Sequence, residues 1–305
     1  MVAYALRKLI FTCIVLLGAA TCSFILLHLI PGDTAEALAG PQASVEDVEN
    51  LRRSLGLDRP LSEQYFIYLS NLAKGNLGSS YRTKRTVAEE IAARWPATLM
   101  LSCTSLLVAV VIGIPIGVYA AIKRGSFLDT ISMIAAFIGV SMPSFWLGLI
   151  LIVVFSIKLG LFPYYGRESL LSYVLPSLTL GLAVAANIAR LTRASMLDVL
   201  NQDYIRTARG KGLKESRVIL VHALRNASIP IVTIIGLQWG FLLGGQVVTE
   251  TVFSWPGIGR MIVDALLTRD LQIVQGGILV MALTFTVLNL LTDISYAILD
   301  PRIRL

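Results

Sequence analysis

The chain has 305 residues, of which 55% are hydrophobic and 15% are charged. A soluble domain carries about a quarter charged residues, and several apolar runs here exceed the ~20 residues that cross a bilayer as a helix. The composition therefore excludes a soluble globular protein and indicates an integral membrane protein. The formal net charge of +7 does not indicate nucleic-acid binding, because the basic residues flank the apolar runs.

The first apolar run, Leu9–Leu29, follows Arg7 and Lys8, as the core of a secretory signal would. It is longer than a signal core, and its small residues Gly18, Ala19 and Ala20 lie in its middle, not after it. We therefore favour a retained transmembrane helix, with a cleaved signal as the alternative.

Hydropathy predicts an all-α polytopic membrane protein with six transmembrane helices. The predicted spans are Leu9–Leu29, Pro96–Ile122, Ile131–Lys158, Val174–Thr192, Pro230–Phe253 and Ile273–Leu299. Lys and Arg are concentrated in the segments that lie on the side of the N-terminus, which places both termini in the cytoplasm. Pro115 and Pro143 lie inside spans and are expected to kink them.

The sequence divides into three parts: an N-terminal transmembrane helix (1–30), an extracytoplasmic helical insert (31–95) and a five-helix core (96–305) with a cytoplasmic loop at 197–229. Two capping-box patterns start helices in the insert, at Ser44 with Asp47 and at Thr86 with Glu89. The second helix is expected to stop at Pro96. The insert could contact a donor protein or could be a structural cap over the helix ends.

Catalytic and metal-binding patterns are absent from the sequence. It contains no HExxH, GxSxG or GxxxxGK[ST] motif. The two histidines, His28 and His222, are predicted near opposite faces of the membrane and cannot share a metal ion. The three cysteines, Cys13, Cys22 and Cys103, lie in apolar runs and are interpreted as buried small hydrophobic residues. We predict that the chain is not an enzyme and binds no metal or cofactor itself.

Ionisable residues inside a membrane span are costly and usually functional. Here the candidates cluster at span ends: Arg190 and Arg193 lie near the inner end of the fourth span, and Asp293 lies in the sixth span shortly before the cytoplasmic C-terminal segment. Asp264 and Glu250 flank the outer loop. Snorkelling to the interface explains the arginines, and pairing with a basic neighbour explains Asp293. This distribution argues against a carrier driven by protons or sodium.

The segment between the fourth and fifth spans carries the most informative pattern. Tyr204 to Lys211 predicts a short basic helix, and Gly210 and Gly212 allow a sharp turn. Val218, Ile219, Val221 and Leu224 form the apolar stripe of a second helix. Such a loop is a docking surface for a soluble partner that could move it as a rigid lever; the alternative is a basic helix lying on anionic lipid.

The residues from Arg206-Thr-Ala208 to Gly212 resemble the EAA loop of permease subunits of binding-protein-dependent ABC importers. Leu224 and Pro230 match the later part of that pattern, whereas its glutamate, isoleucine and first proline are replaced by Arg206, His222 and Arg225. A contact that depends on the glutamate is therefore not carried over.

The same hairpin segment and three further pieces of the chain are similar to the dipeptide/oligopeptide permease group, whose members include glutathione and nickel importers. They are Tyr204-Ile-Arg-Thr-Ala-Arg-Gly-Lys-Gly-Leu213 with His222-Ala-Leu-Arg-Asn226, Leu29-Ile-Pro-Gly-Asp33, Glu250-Thr-Val-Phe-Ser-Trp-Pro-Gly-Ile-Gly-Arg260, and Asp293-Ile-Ser-Tyr with Asp300-Pro-Arg302. The residues in these segments are most similar to those of the first, B-type permease of the group, in particular its glutathione-importer form.

The resemblance implies a type I ABC importer permease in the bacterial inner membrane that moves short peptides (di- or oligopeptides, or glutathione) into the cytoplasm. It implies four kinds of partner: a second homologous permease in a heterodimer, two cytoplasmic ATPase subunits that bind ATP and Mg, an extracytoplasmic solute-binding protein, and membrane lipid. The implied ATPase-coupling residues are Tyr204, Arg206, Thr207, Ala208, Arg209, Gly212 and Leu213.

The alternatives are the same architecture importing nickel or another small solute, and a self-sufficient secondary carrier or membrane scaffold. Gly212→Val is expected to uncouple transport because the turn needs positive φ. Ala208→Asp is expected to weaken ATPase binding by placing a charge in a packed contact.

Overall fold

The computed structural model describes residues 2–29, 34–40, 42–244 and 246–299. Over these ranges the regular elements are helices, and one antiparallel bridge joins Ser79 to Thr86. The α-helices are α1 Val2–Leu29, α2 Thr34–Ala39, α3 Val45–Ser54, α4 Leu61–Ala73, α5 Val87–Ile122, α6 Phe127–Ser141, α7 Ser144–Leu151, α8 Val174–Leu200, α9 Asp203–Gly210, α10 Glu215–Arg217, α11 Leu224–Gly244, α12 Val247–Val252, α13 Ile258–Leu267 and α14 Leu271–Leu299. Two π-helical stretches, Ile152–Lys158 and Val218–Ala223, and a 3-10 turn, Leu170–Tyr173, extend neighbouring helices. The all-α prediction is confirmed.

By length and composition, four stretches in the described ranges can each cross a membrane alone. They are Val87–Ile122, Leu170–Leu200, Glu215–Gly244 and Leu271–Thr292. A fifth candidate is the bent pair Phe127–Ser141 and Ser144–Lys158, and α1 contributes a shorter apolar stretch, Ile10–Leu26. The chain is therefore a multi-pass membrane protein, and the count of six spans stays a prediction.

The predicted third span is broken at Pro143. Its two halves meet at 103°. Met142 has φ −82° and ψ 127°, the extended conformation that a following proline ring imposes on the residue before it. The kink predicted at Pro143 is therefore confirmed as a complete break in the helix.

Two other prolines do not mark the helix boundaries that the sequence suggested. α5 continues through Pro96, so the helix of the insert does not stop there, and Pro230 lies inside α11. The fifth span also ends at Gly244, not at Phe253. A proline ends a helix more often in a soluble protein than in a membrane. In a transmembrane helix, neighbouring groups can satisfy the carbonyl that the proline leaves without a hydrogen bond.

Tertiary contacts divide the chain into two units. The first comprises residues 1–98 and 256–284. Its apolar cluster joins the start of α5 to α13 and to the first half of α14, through Val87, Ile258 and Val274, all at most 3% exposed. In the same unit, Phe24 of α1 stacks on Tyr68 of α4 with ring centroids 5.8 Å apart. The capping boxes predicted at Ser44 and Thr86 are both present.

The second unit comprises residues 99–255 and 285–305, and α8 is its most buried helix. Glycines bring α5 against α8 with backbone contact: a Cβ at Gly117 would lie 2.5 Å from the carbonyl oxygen of Ala189, and one at Gly113 would lie 2.7 Å from that of Ala185. This is the close approach that small residues four apart allow in membrane helices.

The three cysteines are free and lie on exposed helix surfaces. The interpretation of Cys13, Cys22 and Cys103 as residues buried inside the protein was wrong. An exposed apolar face on a membrane helix meets lipid, so the side chain leaves water without entering the protein core.

Candidate functional site

The basic hairpin, residues 203–223, consists of α9, the turn at 211–214, α10 and the π-helical stretch that leads into α11. Its first helix begins at Asp203 and carries Arg206 and Arg209. The short basic helix predicted from the sequence is therefore present, one residue earlier at each end.

The turn of the basic hairpin has the hydrogen bonds of a Schellman motif. The Leu213 N–H donates to the Ala208 carbonyl over 3.4 Å, and the Gly212 N–H donates to the Arg209 carbonyl over 2.9 Å. Gly212 has φ +75°, the left-handed conformation that this motif requires at the residue after the helix cap. Gly210 lies within α9 and is not in that conformation. The turn predicted from the two glycines thus depends on Gly212.

One face of α9 packs into the second unit. Ile205 is 0% exposed and Ala208 is 8% exposed. Both join an apolar cluster with Val118 of α5, Met196 of α8 and Ile231 of α11. Leu213, which is half-buried, packs against the same cluster. Helix α9 therefore shares one apolar cluster with three membrane helices.

The other face of α9 is exposed and mainly basic. Tyr204, Arg206, Thr207 and Arg209 all lie on it. Arg206 lies 3.5 Å from Asp203, and because both side chains are exposed this ion pair contributes little stability. These four side chains do not pack against the apolar cluster. The exposed face is therefore accessible to a partner.

Arg209 ties the two arms of the hairpin together across the turn. Its guanidinium donates to both carboxylate oxygens of Glu215, over 2.6 and 3.2 Å. Hydrogen bonding to this carboxylate raises the pKa of the Arg209 guanidinium. The fork-shaped contact fixes the relative orientation of the arms more strictly than a single bond would.

The structure separates the seven predicted coupling residues into two groups. Five are exposed: Tyr204, Arg206, Thr207, Arg209 and Gly212. Ala208 and Leu213 instead face the apolar cluster of the chain itself. The expectation that Ala208→Asp acts on a contact with an ATPase therefore needs revision, because that carboxylate would first enter the permease's own core.

The predicted apolar stripe of the second helix is only partly confirmed. Val218 and Ile219 are buried and Leu224 packs against the cluster, but Val221 is 47% exposed. The stretch 218–223 is π-helical, with more residues per turn than an α-helix, so the buried face passes to Ala223 instead. A sequence pattern based on 3.6 residues per turn cannot detect this shift.

Sequence reasoning missed Asp129, which forms a buried two-point ion pair with Arg193. The Arg193 guanidinium donates to both of its carboxylate oxygens, over 2.6 and 2.8 Å, and Asp129 is only 4% exposed. The Gly125 N–H donates to the same carboxylate over 3.0 Å. Arg193 was interpreted as snorkelling to the interface; it joins the start of α6 to α8 instead.

The remaining charged candidates have structural roles or lie outside the described side chains. Arg190 donates to Asn187 over 3.3 Å, and Arg260 lies 3.6 Å from Asp264. Glu250 is fully buried in α12. The structure does not describe the side chains of Asp293, of residues 30–33 or of residues 300–305.

No group of three or more His, Cys, Asp or Glu side chains with metal-binding geometry occurs among the described residues. The candidate site is thus the exposed face of α9, which carries arginines and a tyrosine, followed by a rigid turn. Its chemistry suits binding and mechanical coupling to another protein.

Fold and site together define a helical membrane protein with an exposed basic hairpin that shares an apolar cluster with three of its helices. The family model described as "Binding-protein-dependent transport system inner membrane component" matches residues 113–305, and the N-terminal model of the same system matches residues 1–102. The chain belongs to this family of ABC importer permeases.

Relatives of known name match over the whole chain. The glutathione transport system permease protein GsiC of Escherichia coli O6:H1 is 48% identical over 304 residues, which cover 100% of this chain and 99% of that protein. GsiC of Escherichia coli K12 is 47% identical over the same length. The inward-facing MetNI methionine ABC transporter has a TM-score of 0.56 at 17% identity, covering 69% of this chain and 96% of that chain. This last likeness concerns the fold alone.

Proposed function

We propose that this chain is the permease that moves short peptides, including glutathione, through an ATP-driven importer. The observation that carries the proposal is the 48% identity, over the full chain, to a glutathione transport system permease. The basic hairpin, with Arg206 in place of the glutamate of the general EAA pattern, resembles the same dipeptide/oligopeptide group.

The complete importer contains a second homologous permease, two ATPase subunits and an extracytoplasmic solute-binding protein. Both termini of this chain and the basic hairpin lie on the cytoplasmic side, and the insert 31–95 lies outside. ATP and Mg are bound by the ATPases, so this chain hydrolyses nothing. The excess of Lys and Arg beside the inner segments supports this orientation.

Coupling to ATP hydrolysis uses the two faces of α9. The exposed face, with Tyr204, Arg206 and Thr207, sits in a groove of the ATPase. The buried face, with Ile205 and Ala208, transmits the movement of the ATPase to α5, α8 and α11. Because the Schellman turn and the Arg209–Glu215 pair hold the hairpin in one shape, it moves as a rigid body.

Uptake by the reconstituted complex tests the proposal. The permease pair, the ATPases and the binding protein are placed in proteoliposomes, and labelled glutathione is added outside in the presence of internal ATP. We expect accumulation that requires both ATP and the binding protein. Saturating uptake without the ATPases would instead show a self-sufficient carrier. A complex that turns over ATP with the binding protein present, yet moves neither glutathione nor di- or tripeptides, would contradict the peptide assignment.

A further inference from the structure

The first unit contains a cavity of about 540 Å³, which is within the range of roughly 300–1,000 Å³ for small-molecule sites. It lies between the end of α1, the α3–α4 connection, the 76–84 loop and the first turns of α14. All of these segments belong to one unit, and none belongs to the basic hairpin.

The wall of this cavity is basic and rich in hydrogen-bonding groups. Arg53, Arg59 and Lys84 line it, and His28 lies at the α1 end. No Asp or Glu lines it among the residues that the structure describes. Arg53 and Arg59 each form an ion pair with a glutamate of their own helix region. Because both arginine side chains are at least half exposed, these pairs are weak and leave the positive potential in place.

Buried polar groups hold one side of the cavity in a fixed shape. Ser80, 1% exposed, donates to Asp270 over 2.5 Å and accepts a hydrogen bond from the Thr83 N–H over 3.0 Å. Gln272 donates to the Tyr81 hydroxyl over 3.0 Å. These contacts fix the 79–86 hairpin to the start of α14 before any ligand arrives.

Lys84 is the unusual member of this hairpin. It has φ +60°, a left-handed conformation that is costly for a residue with a side chain. Glycine would avoid that cost, yet the position holds a lysine whose side chain lines the cavity. Strain of this kind is retained where a side chain has a task in a site.

Aromatic and amide groups complete the cavity. Phe24 and Tyr68 form an aromatic surface, and Gln275, 6% exposed, adds a buried amide. Cations together with amides and aromatic rings suit a ligand that carries carboxylates, peptide groups and few exposed apolar atoms.

We propose that this cavity is a binding site for a short anionic peptide, with Lys84 and Arg59 holding its carboxylates. The inference rests on the proposed function for its choice of ligand, since it assigns the insert a second site for the transported class of solute. A lipid phosphate shares part of this chemistry, and the experiment separates the two.

The test measures equilibrium binding of labelled glutathione to the purified permease–ATPase complex in phosphatidylcholine nanodiscs, without the binding protein. Lys84→Gln removes the charge at nearly constant size. Lys84→Gly also relieves the left-handed strain, so it keeps the hairpin folded. Arg82→Gln is the matched control, because Arg82 lies two residues away in the same hairpin and does not line the cavity. The dimethyl ester of glutathione tests the carboxylates.

We expect both Lys84 variants to weaken glutathione binding by roughly tenfold, the effect of losing one charge-assisted hydrogen bond. Arg82→Gln keeps the wild-type Kd, and the diester binds at least tenfold more weakly than glutathione. Binding that is equal in wild type and Lys84→Gln, or no measurable binding by wild type, overturns the inference. A repeat of the measurement in nanodiscs that also contain phosphatidylglycerol tests for lipid: Lys84-dependent retention of phosphatidylglycerol that blocks glutathione binding would also overturn the inference.

Failure of this inference is distinguishable from failure of the proposed function. If ATP-driven glutathione uptake is present but no binding depends on Lys84, only the cavity assignment is wrong. If Lys84-dependent binding is present but the complex imports no peptide, the solute assigned to transport is wrong.

Discussion

Gly212 shows how one backbone conformation shapes the basic hairpin. Its φ of +75° and its N–H bond to the Arg209 carbonyl close the Schellman turn. A Cβ at this position would meet nothing within 4 Å, so the difficulty of a substitution is conformational and not steric. A side chain in the left-handed region costs about 1–2 kcal/mol, and a β-branched side chain costs more.

We expect Gly212→Val to reorient α9 against the second arm and to reduce ATP-driven uptake at least tenfold, while the complex still forms. The measurement is uptake by proteoliposomes together with the ATPase rate of the same preparation. Gly210→Ala is the matched control: it also has open space around its Cβ but lies within α9. Full uptake by Gly212→Val would show that this turn does not transmit the movement.

A second prediction concerns the Asp129–Arg193 pair. Asp129→Asn leaves the Arg193 guanidinium without its carboxylate in a mostly buried place, which typically costs about 3 kcal/mol. The thermal unfolding midpoint of the purified permease should fall by several degrees. Arg193→Gln alone should have a similar effect.

The double variant Asp129→Asn with Arg193→Gln is the control, because it removes both charges at once. It should be clearly more stable than the sum of the two single effects predicts. If the fall in midpoint of the double variant equals the sum of the falls in the two single variants, the two side chains do not act as a pair.

These residues differ in how far sequence could predict them. Gly212 follows a basic helix within a few residues, so local turn chemistry was sufficient to select it. Asp129 and Arg193 lie 64 residues apart in the chain, and neither carries a local signal of the other. Lys84 could not be selected either, since lysine is not a residue that sequence rules associate with positive φ.

At the scale of elements, we expect an aspartate to have opposite effects on the two faces of α9. Ala208→Asp places a carboxylate in an apolar cluster, which should lower the stability and yield of the permease itself. Thr207→Asp places it on the exposed face, where it should leave the thermal midpoint within about a degree and weaken retention of the ATPase.

Co-purification of the ATPase and the thermal midpoint of each variant are measured together. The assignment of the faces is wrong if Thr207→Asp unfolds the permease, or if Ala208→Asp keeps wild-type stability. Unchanged ATPase retention in Thr207→Asp would remove Thr207 from the docking surface.

The contact between α5 and α8 depends on glycine. Gly117→Ala would place a Cβ 2.5 Å from the Ala189 carbonyl oxygen and 2.6 Å from Cβ of Thr192, so the helices must separate. Overpacking of this kind costs about 1–3 kcal/mol, and the thermal midpoint should fall accordingly. Gly18→Ala in α1, with nothing within 4 Å of the new Cβ, should leave it unchanged. Equal midpoints for the two variants would exclude a tight α5–α8 contact.

Element type was predictable here, whereas the helix boundaries assigned to prolines were not. Apolar runs longer than a membrane span can only be helices, so the all-α class followed directly. The sequence predicts boundaries at Pro96 and Pro230, but both helices continue through these residues because membrane helices tolerate proline. Pro143 does break its helix, and the sequence around the three prolines gives no physical basis for telling them apart.

For the whole molecule, short motifs along the full chain were sufficient to predict the family, and the matches over residues 1–102 and 113–305 confirm it. The division into two units was not visible in the sequence, because residues 256–284 join the N-terminal unit across a large separation in the chain. The three-part division at residues 30 and 95 stays a prediction, and so does the coupling role of the basic hairpin.

The mass of the intact complex is the most direct test of the central claim that this chain is one half of an ATP-driven importer. The chain is purified under mild detergent from its native membrane and weighed by native mass spectrometry, with Thr207→Asp prepared in parallel. We predict one copy of this chain with one homologous permease and two ATPase subunits, and loss of ATPase from the Thr207→Asp sample. A lone chain or a homo-oligomer, obtained repeatedly in several gentle detergents, would contradict the claim.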